Sequence, residues 1–254
     1  MIHGSDATRA EVEAPSPGKG RSLRRVETSA RILEAAARIA GEDGVEALTM
    51  QRLGDALGYR AGALYRYYPS KDALLAALLA RIVGEAGGMV RDASREAAGI
   101  AARARRPLSA RTQALLPIVL AARGYLALAE ARPAQMALLV RALAAPQPVV
   151  DDAAAAGVAV ATLALLREAG ALFSAAREAG ALDDGDDLAR VVLLWSSLHG
   201  VVGSRKLARF GVGALTPAAL VAELVRALLV GWGARRDDVD DGLERASRAA
   251  AREG

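Results

Sequence analysis

Apolar residues recur along most of this chain at the spacing of an α-helix, and strand-like alternation of apolar and polar residues is absent. The first clear stripe lies on one face of a helix, at Ile32, Leu33, Ala36, Ile39 and Ala40. Glycines, prolines and capping residues divide the sequence into about nine such segments. The pattern therefore predicts an all-α protein.

Three helices of unequal length are predicted after the first one. Thr49 is expected to cap a helix of about two turns, which Gly58 ends. A third helix is predicted at about 61–67, and Ser70 is placed to cap a much longer fourth helix. Two short helices joined by a tight turn and supported by the first helix predict a helix-turn-helix motif at about 49–68.

The rest of the chain predicts a second and larger set of helices. Pro117 lies inside the first of these segments, where it either kinks the helix or starts it. Acidic residues at 180–187 are expected to cap the helix that follows them. The predicted helices lie at about 111–131, 133–143, 152–179, 186–209 and 216–232.

The two ends of the chain lack a helical apolar period. Residues 1–25 predict a disordered arm, which carries the basic cluster KGRSLRR at 19–25. This cluster is either a solvated flank or an arm that touches phosphates, and the sequence leaves both interpretations open. Residues 235–254 are so rich in charge that a frayed or disordered tail is expected.

The residue composition excludes several kinds of catalytic and metal site. The 254 residues carry a formal net charge of +4 and include two histidines and no cysteine. Without cysteine the chain has no disulfide, no thiol nucleophile and no cysteine-ligated zinc. No nucleophile with its base and no glycine-rich phosphate loop can be recognised, so we predict neither an enzyme nor a metal or cofactor site.

The sequence predicts a cytoplasmic protein without a membrane partner. No uninterrupted apolar run is expected to be long enough to cross a bilayer, and the first 25 residues contain no apolar signal-peptide core. The arginine-rich segment 91–111 is a poor membrane-surface helix, because Pro107 interrupts it and its apolar face is thin.

The helix-turn-helix motif predicts DNA binding, because the second helix of such a pair enters the major groove. Ala61, Gly62 and Ala63 are small enough for that helix to approach the bases. Four of the five tyrosines fall within residues 58–75. A tyrosine ring can pack in a small core while its hydroxyl reaches a phosphate.

Residues 31–75, RILEAAARIAGEDGVEALTMQRLGDALGYRAGALYRYYPSKDALL, resemble the DNA-binding domain of the tetracycline-repressor (TetR) family. The shared features occur in order: an acidic turn with glycine, a threonine-capped helix, a glycine turn, an L-Y-x-Y-aromatic run, and a capped lysine followed by acid and leucines. The resemblance implies a three-helix DNA-binding domain at 26–85, joined by a long helix 4 to a larger helical domain at 86–234.

The resemblance also implies roles for individual residues. Thr49 would cap helix 2 and donate to a phosphate. Of Tyr65 and Tyr67, one would pack and the other would reach the DNA backbone, while Tyr68 would lie mostly in the core. Lys71 would share a phosphate with the amides at the start of helix 4.

Two positions depart from the common family pattern. Tyr59 and Arg60 stand where valine and serine are frequent, so a serine cap is missing, which costs about 0.5–2 kcal/mol unless another group replaces it. Ala63 stands where the recognition helix often has threonine. Arg60 either contacts a guanine or phosphate or is a solvated turn residue.

The second domain is expected to dimerise and to bind a small molecule. The segment LLWSSLHGVVGSRKLARFG at 193–211 resembles the Trp…His-Gly segment of one group of these domains, in which the last two helices, here 186–209 and 216–232, form the dimer interface. The scarcity of polar residues in this region favours an apolar ligand. The candidate ligand contacts are Arg123, Tyr125, Trp195 and His199, although Trp195 and His199 are also interpretable as core residues.

Together these features predict a homodimeric repressor that a small, largely apolar effector releases from a palindromic operator. A bacterial cytoplasmic protein, associated with the nucleoid when bound to DNA, is implied. An activator or a ligand-independent regulator is the alternative, and a helical interaction protein that does not bind DNA is a remote one.

Overall fold

The computed structural model describes residues 17–144, 150–204 and 216–253. This part of the chain consists of ten α-helices and one short 3-10 helix, and it contains no strand. The helices are α1 (Pro17–Glu42), α2 (Met50–Leu57), α3 (Ala61–Leu64), α4 (Lys71–Ala102), α5 (Ala110–Ala131), α6 (Pro133–Ala144), α7 (Asp152–Glu178), α8 (Asp187–Gly203), α9 (Pro217–Gly231) and α10 (Arg236–Glu253). The all-α prediction is confirmed, with one helix more than expected.

Helices α1 to α3 and the start of α4 enclose a small N-terminal core. Ile32, Leu53, Leu64 and Leu74, one from each helix, are fully buried. Each lies on the apolar stripe of its own helix, so the core follows directly from the hydrophobic pattern. The core sets the angle between α2 and α3 and the position at which α4 begins.

Helix boundaries in the second domain follow the capping residues of the sequence. Asp151, Asp186 and Thr216 each accept hydrogen bonds from backbone amides in the first turn of α7, α8 and α9. Pro117 lies inside a continuous α5, which Ser109 caps. Pro117 therefore does not start the helix.

Both predicted disordered ends require correction. Residues 17–25 belong to α1, while residues 1–16 lie outside the described residues. Residues 236–253 form α10, whose Val239 and Ala246 are buried and which packs against α5 and α9. The Ser109 hydroxyl donates to Asp238 at 2.8 Å, which fixes the start of α10 to the cap of α5. The apolar positions of α10 are few but lie on one face, so packing outweighs charge.

Three helices, α4, α5 and α7, are long and apolar enough to cross a membrane by length and composition, contrary to expectation. The apolar segments of α4 and α5 are 56% buried, because these helices form the centre of the second domain. Only 6% of the corresponding segment of α7 is buried. Helix α7 thus presents an apolar surface, including Val160 and Leu163, that the described residues of this chain do not cover.

Helix α8 has two apolar faces. The face with Val191, Leu194 and Leu198 is covered by the rest of the domain, where these side chains are buried. The opposite face carries Leu188, Val192 and Leu193, which are 41–52% exposed. Both faces are apolar, so helical periodicity alone could not tell which one points inward. Residues 205–215 lie outside the described residues, and they include the last five residues of the predicted helix 186–209.

Helix α6 joins the two domains. At Gly41 of α1, an added Cβ atom would lie only 2.2 Å from the carbonyl oxygen of Ala134 in α6. The buried Gln135 amide, oriented to satisfy both of its ends, donates to Glu85 and accepts from Arg81 and Arg132. This close backbone contact depends on glycine, and the polar cluster beside it ties α6 to α4.

Candidate functional site

The turn between α2 and α3 is built by a cap and by two glycines. The Thr49 hydroxyl accepts from the Arg52 amide at 3.1 Å and begins α2, as predicted. Gly58 ends α2 in the left-handed conformation, with φ of 70°. A Cβ atom at Gly54 would lie 2.6 Å from the Tyr59 carbonyl oxygen, so only glycine lets the chain fold back this tightly.

Helix α3 presents an open surface of small residues. It spans Ala61–Leu64, shorter than the predicted 61–67, and continues as turns. Gly62 is exposed, and an added Cβ there would have nothing within 4 Å, while Ala61 and Ala63 are half-buried. Arg60 occupies the N-cap position without a side-chain cap bond, as the missing serine predicted, and its side chain is exposed.

The tyrosines after α3 divide between core and surface. Tyr68 is buried, and its hydroxyl lies 2.6 Å from the Ser29 hydroxyl, so it belongs to the core. Tyr65 is 50% exposed, whereas Tyr67 is half-buried. The Arg25 guanidinium lies 5.8 Å from the centre of the Tyr67 ring. The sequence motif gave no signal for the contacts of Arg25 and Ser29, because both precede the motif.

The start of α4 lies beside this surface. The Ser70 hydroxyl accepts from the Ala73 amide at 3.0 Å and caps the helix. Lys71, at the first helical position, is half-buried, and its ammonium lies 3.9 Å from the Glu46 carboxylate, whose side chain is fully exposed. A pair this long and this exposed is weak, so the Lys71 ammonium can exchange Glu46 for a phosphate.

The second domain contains an apolar cavity of about 450 Å³ between α4, α5, α6, α7 and α8. Its wall consists mainly of aliphatic side chains, and Tyr125, Asp152 and Thr162 supply its hydroxyl and carboxylate groups. The wall residues of α4 include Leu79, Val83, Ala86 and Val90. A cavity of this size and composition fits a small apolar ligand.

Three of the four candidate ligand residues lie together at this cavity. Tyr125 and Trp195 line it, and His199 lies behind them. The Nδ1 atom of His199 lies 3.0 Å from the Trp195 carbonyl oxygen, and the Tyr125 hydroxyl lies 3.0 Å from Nδ1 and 2.9 Å from Nε2. A carbonyl only accepts, so Nδ1 carries the proton and Nε2 accepts from the hydroxyl.

Burial controls the charge of this cluster. Burial raises the pKa of Tyr125 above its usual value, and a side-chain hydrogen bond with Trp195 opposes part of that rise. Burial also lowers the pKa of His199 from its usual value of 6.5, against the effect of the Trp195 carbonyl. Both side chains are therefore neutral near pH 7.

Arg123 does not lie at the cavity, contrary to its selection as a ligand contact. Its guanidinium donates to the Ala246 carbonyl of α10 and to Glu96 of α4. The preceding residue, Ala122, faces the cavity, and successive helical residues point about 100° apart. The role of Arg123 in this structure is to hold α10 against α4 and α5.

Within the described ranges, no cluster of three or more His, Cys, Asp or Glu side chains could hold a metal ion.

Each of the two domains matches the model of a known protein family. The model for bacterial regulatory proteins of the tetR family matches residues 32–78, and the model for tetracyclin repressor-like C-terminal domains matches residues 118–228. The chain belongs to the TetR family. Membership in a family of regulatory proteins confirms the predicted resemblance, and it agrees with a regulator rather than an enzyme.

This TetR-family chain spans only about a fifth to a quarter of the length of the curated relatives that it matches. Nucleoid occlusion factor SlmA of Actinobacillus pleuropneumoniae serotype 5b (strain L20) is 42% identical over 55 residues, which are 22% of this chain and 27% of SlmA. The HTH-type transcriptional repressor DrrR1 of Streptomyces coeruleorubidus is 44% identical over 52 residues, which are 20% of this chain and 19% of DrrR1.

Solved structures show the same fold. The fatty acid degradation regulator FadR from Bacillus halodurans superposes with a TM-score of 0.60 over 79% of this chain and 97% of its own, at 17% sequence identity. At this identity the likeness concerns the fold of the TetR-family chain and not its ligand.

Proposed function

We propose that this protein is a homodimeric transcription regulator that a small apolar ligand releases from a palindromic operator, in the cytoplasm and on the nucleoid. The open surface of α3 carries this proposal. Gly62 leaves free space at the centre of that surface, while the exposed Arg60 and Tyr65 flank it. Small central residues with long polar neighbours allow a helix to enter the major groove and bind its edges.

Cationic groups beside α3 supply the phosphate contacts. Lys71 lies at the N-terminus of α4, where free backbone amides also favour an anion. Arg24 and Arg25 are exposed at the N-terminal end of α1, and Arg25 lies over Tyr67, next to the same surface. This placement favours the DNA-contacting interpretation of the basic cluster over the solvated flank.

A dimer accounts for the exposed apolar surface of the second domain. Leu188, Val192 and Leu193 form the outward face of α8, which a second copy would cover. A single short recognition helix contacts few bases, whereas two copies about 34 Å apart read both halves of a palindrome. We therefore assign the interface to the outward face of α8, with α9 and the adjoining surface of α7 at its edges.

Helix α4 supports the proposed switch, because one helix carries both a DNA contact and part of the cavity wall. Lys71 begins α4, and Leu79 and Val83 line the cavity two to three turns later. A ligand that fits the cavity better in one arrangement of α4 and α6 shifts the population toward it. Release by a factor of ten requires about 1.4 kcal/mol of differential affinity.

The test is binding of the purified protein to DNA that flanks its own gene, measured by fluorescence anisotropy across a salt series. Wild-type protein is expected to bind a fragment that contains a short palindrome more tightly than other fragments, and to bind it more weakly as salt increases. Lys71→Ala should make the slope of log K against log salt shallower by about 0.9 for each lost contact, or about 1.8 for a dimer. Arg248→Ala is the control, because Arg248 is exposed on α10 and pairs with Glu244.

Equal slopes for Lys71→Ala and wild type would contradict the assignment of the phosphate contact. Absence of any preferred site, including in a selection from random-sequence DNA, would contradict the proposed function as a whole.

A further inference from the structure

The walls of the cavity identify the chemistry of its ligand, provided that the cavity is the ligand site proposed above. Among the described residues that line it, Asp152 is the one charged side chain, and no lysine, arginine or histidine is included. Asp152 is exposed, at the first position of α7, so water solvates its carboxylate. An anionic group would enter this cavity without a cationic partner, at a high desolvation cost.

The two hydroxyl groups of the wall present acceptors rather than donors. The Tyr125 hydroxyl directs its one proton toward protein atoms, because two acceptors lie within its reach, His199 Nε2 at 2.9 Å and Met136 Sδ at 3.1 Å. The Thr162 hydroxyl donates to the Val158 carbonyl at 2.9 Å within α7. A hydroxyl has one proton and two lone pairs, and the Trp195 indole, which can only donate, takes one lone pair of Tyr125. What remains there for a ligand is the other lone pair.

The His199 tautomer maintains this arrangement. Its Nδ1 proton is held by the Trp195 carbonyl at 3.0 Å, which leaves Nε2 as an acceptor for Tyr125. If a ligand carbonyl took the Tyr125 proton, Nε2 of the half-buried His199 would lose its protein donor. A ligand that donates a hydrogen bond avoids this penalty, and a ligand that only accepts does not.

We propose that the effector is an uncharged, largely apolar molecule with a single hydrogen-bond donor, a hydroxyl or an amide N–H, which it places against Tyr125. The cavity volume of about 450 Å³ corresponds to roughly fifteen water-sized groups, at about 30 Å³ each. Chains of about ten carbons with a small head group fit within this limit.

The test uses four probes with the same ten-carbon chain: 1-decanol, methyl decanoate, decanoate and decylamine. Isothermal titration calorimetry with the full-length protein, without DNA, measures their affinities near pH 7.5. We expect 1-decanol to bind at least about tenfold more tightly than methyl decanoate, which only accepts, and than decanoate, which is charged. Because DNA is absent, the result does not depend on operator binding.

Tyr125→Phe tests the assigned acceptor. This variant should reduce the affinity for 1-decanol and leave that for methyl decanoate nearly unchanged, so that the preference between them disappears. Tyr59→Phe is the matched control, because Tyr59 lies in the N-terminal domain and should keep the preference. Thermal unfolding of both variants verifies that they fold.

Three results would overturn the inference. Decanoate binding as tightly as 1-decanol would show that a cation reaches the ligand. Tighter binding of decylamine would show that Asp152 dominates recognition. Failure of all four probes, with operator binding intact, would reject this ligand class and leave the regulator function standing.

Discussion

The close contact between α1 and α6 predicts that adding one methyl group at Gly41 destabilises the protein. In Gly41→Ala the new Cβ would lie 2.2 Å from the Ala134 carbonyl oxygen, whereas ordinary contacts begin near 3.4 Å. Helix α6 would have to move back by about 1 Å, because a backbone carbonyl cannot rotate away as a side chain can. Overpacking of this kind costs about 1–3 kcal/mol.

A matched substitution gives the opposite sign. Gly84 lies exposed in the middle of α4, and an added Cβ there has nothing within 4 Å. Gly84→Ala should therefore stabilise the protein by about 0.5–1 kcal/mol through helix propensity alone. Because 1 kcal/mol shifts Tm by about 2–4 °C in a protein of this size, the two variants should differ by several degrees.

Thermal unfolding followed by far-ultraviolet circular dichroism measures this difference, and urea unfolding provides an independent value. The Gly41→Ala variant should also respond less to ligand, because α6 carries Leu139 and Ala142 of the cavity wall as well as the contact with α1. If Gly41→Ala were as stable as Gly84→Ala, the close packing of α1 on α6 would be refuted.

Two further predictions concern the second domain. Burial lowers the pKa of His199, so the unfolded chain binds more protons below pH 6.5, and stability is lost as pH falls from 6.5 through the lower folded value. Between pH 7 and pH 5 the wild-type Tm should therefore fall further than that of His199→Gln. The same pH dependence of Tm in both proteins would refute the lowered pKa of His199. Leu193→Glu should yield a monomer in sedimentation equilibrium and weaken operator binding, because the outward face of α8 would become charged. The control Ser247→Glu, on the exposed face of α10, should remain a dimer. A dimeric Leu193→Glu variant would show that the interface does not lie on this face of α8.

The N-terminal domain was predictable because local rules and tertiary structure agree there. Thr49 and Ser70 cap the helices that their positions predicted, and Gly58 takes the left-handed conformation that ends α2. Each of these signals depends on a few neighbouring residues, which the sequence displays directly. The core position of Tyr68 followed from the same ordered motif.

The second domain was less predictable, because its contacts join distant segments. In α10, Val239, Gly242 and Ala246 form a narrow buried stripe, but the charges between them conceal it. On α8 two apolar faces compete, and only the positions of α5 and α7 decide that the one with Leu194 points inward. The wrong prediction for Arg123 has the same origin, since one step along α5, about 100°, turns the side chain from the cavity wall toward α10.

The packing of α10 also has a consequence for synthesis of the chain. Asp238 accepts hydrogen bonds from Ser109 and Thr112, which precede it by 129 and 126 residues. During synthesis on the ribosome, one apolar face of α5 therefore stays exposed until α10 has been made. The N-terminal domain can already fold from its local contacts. Among the described helices, the stretch of α5 beneath α10 is consequently a surface that a nascent-chain chaperone would need to shield.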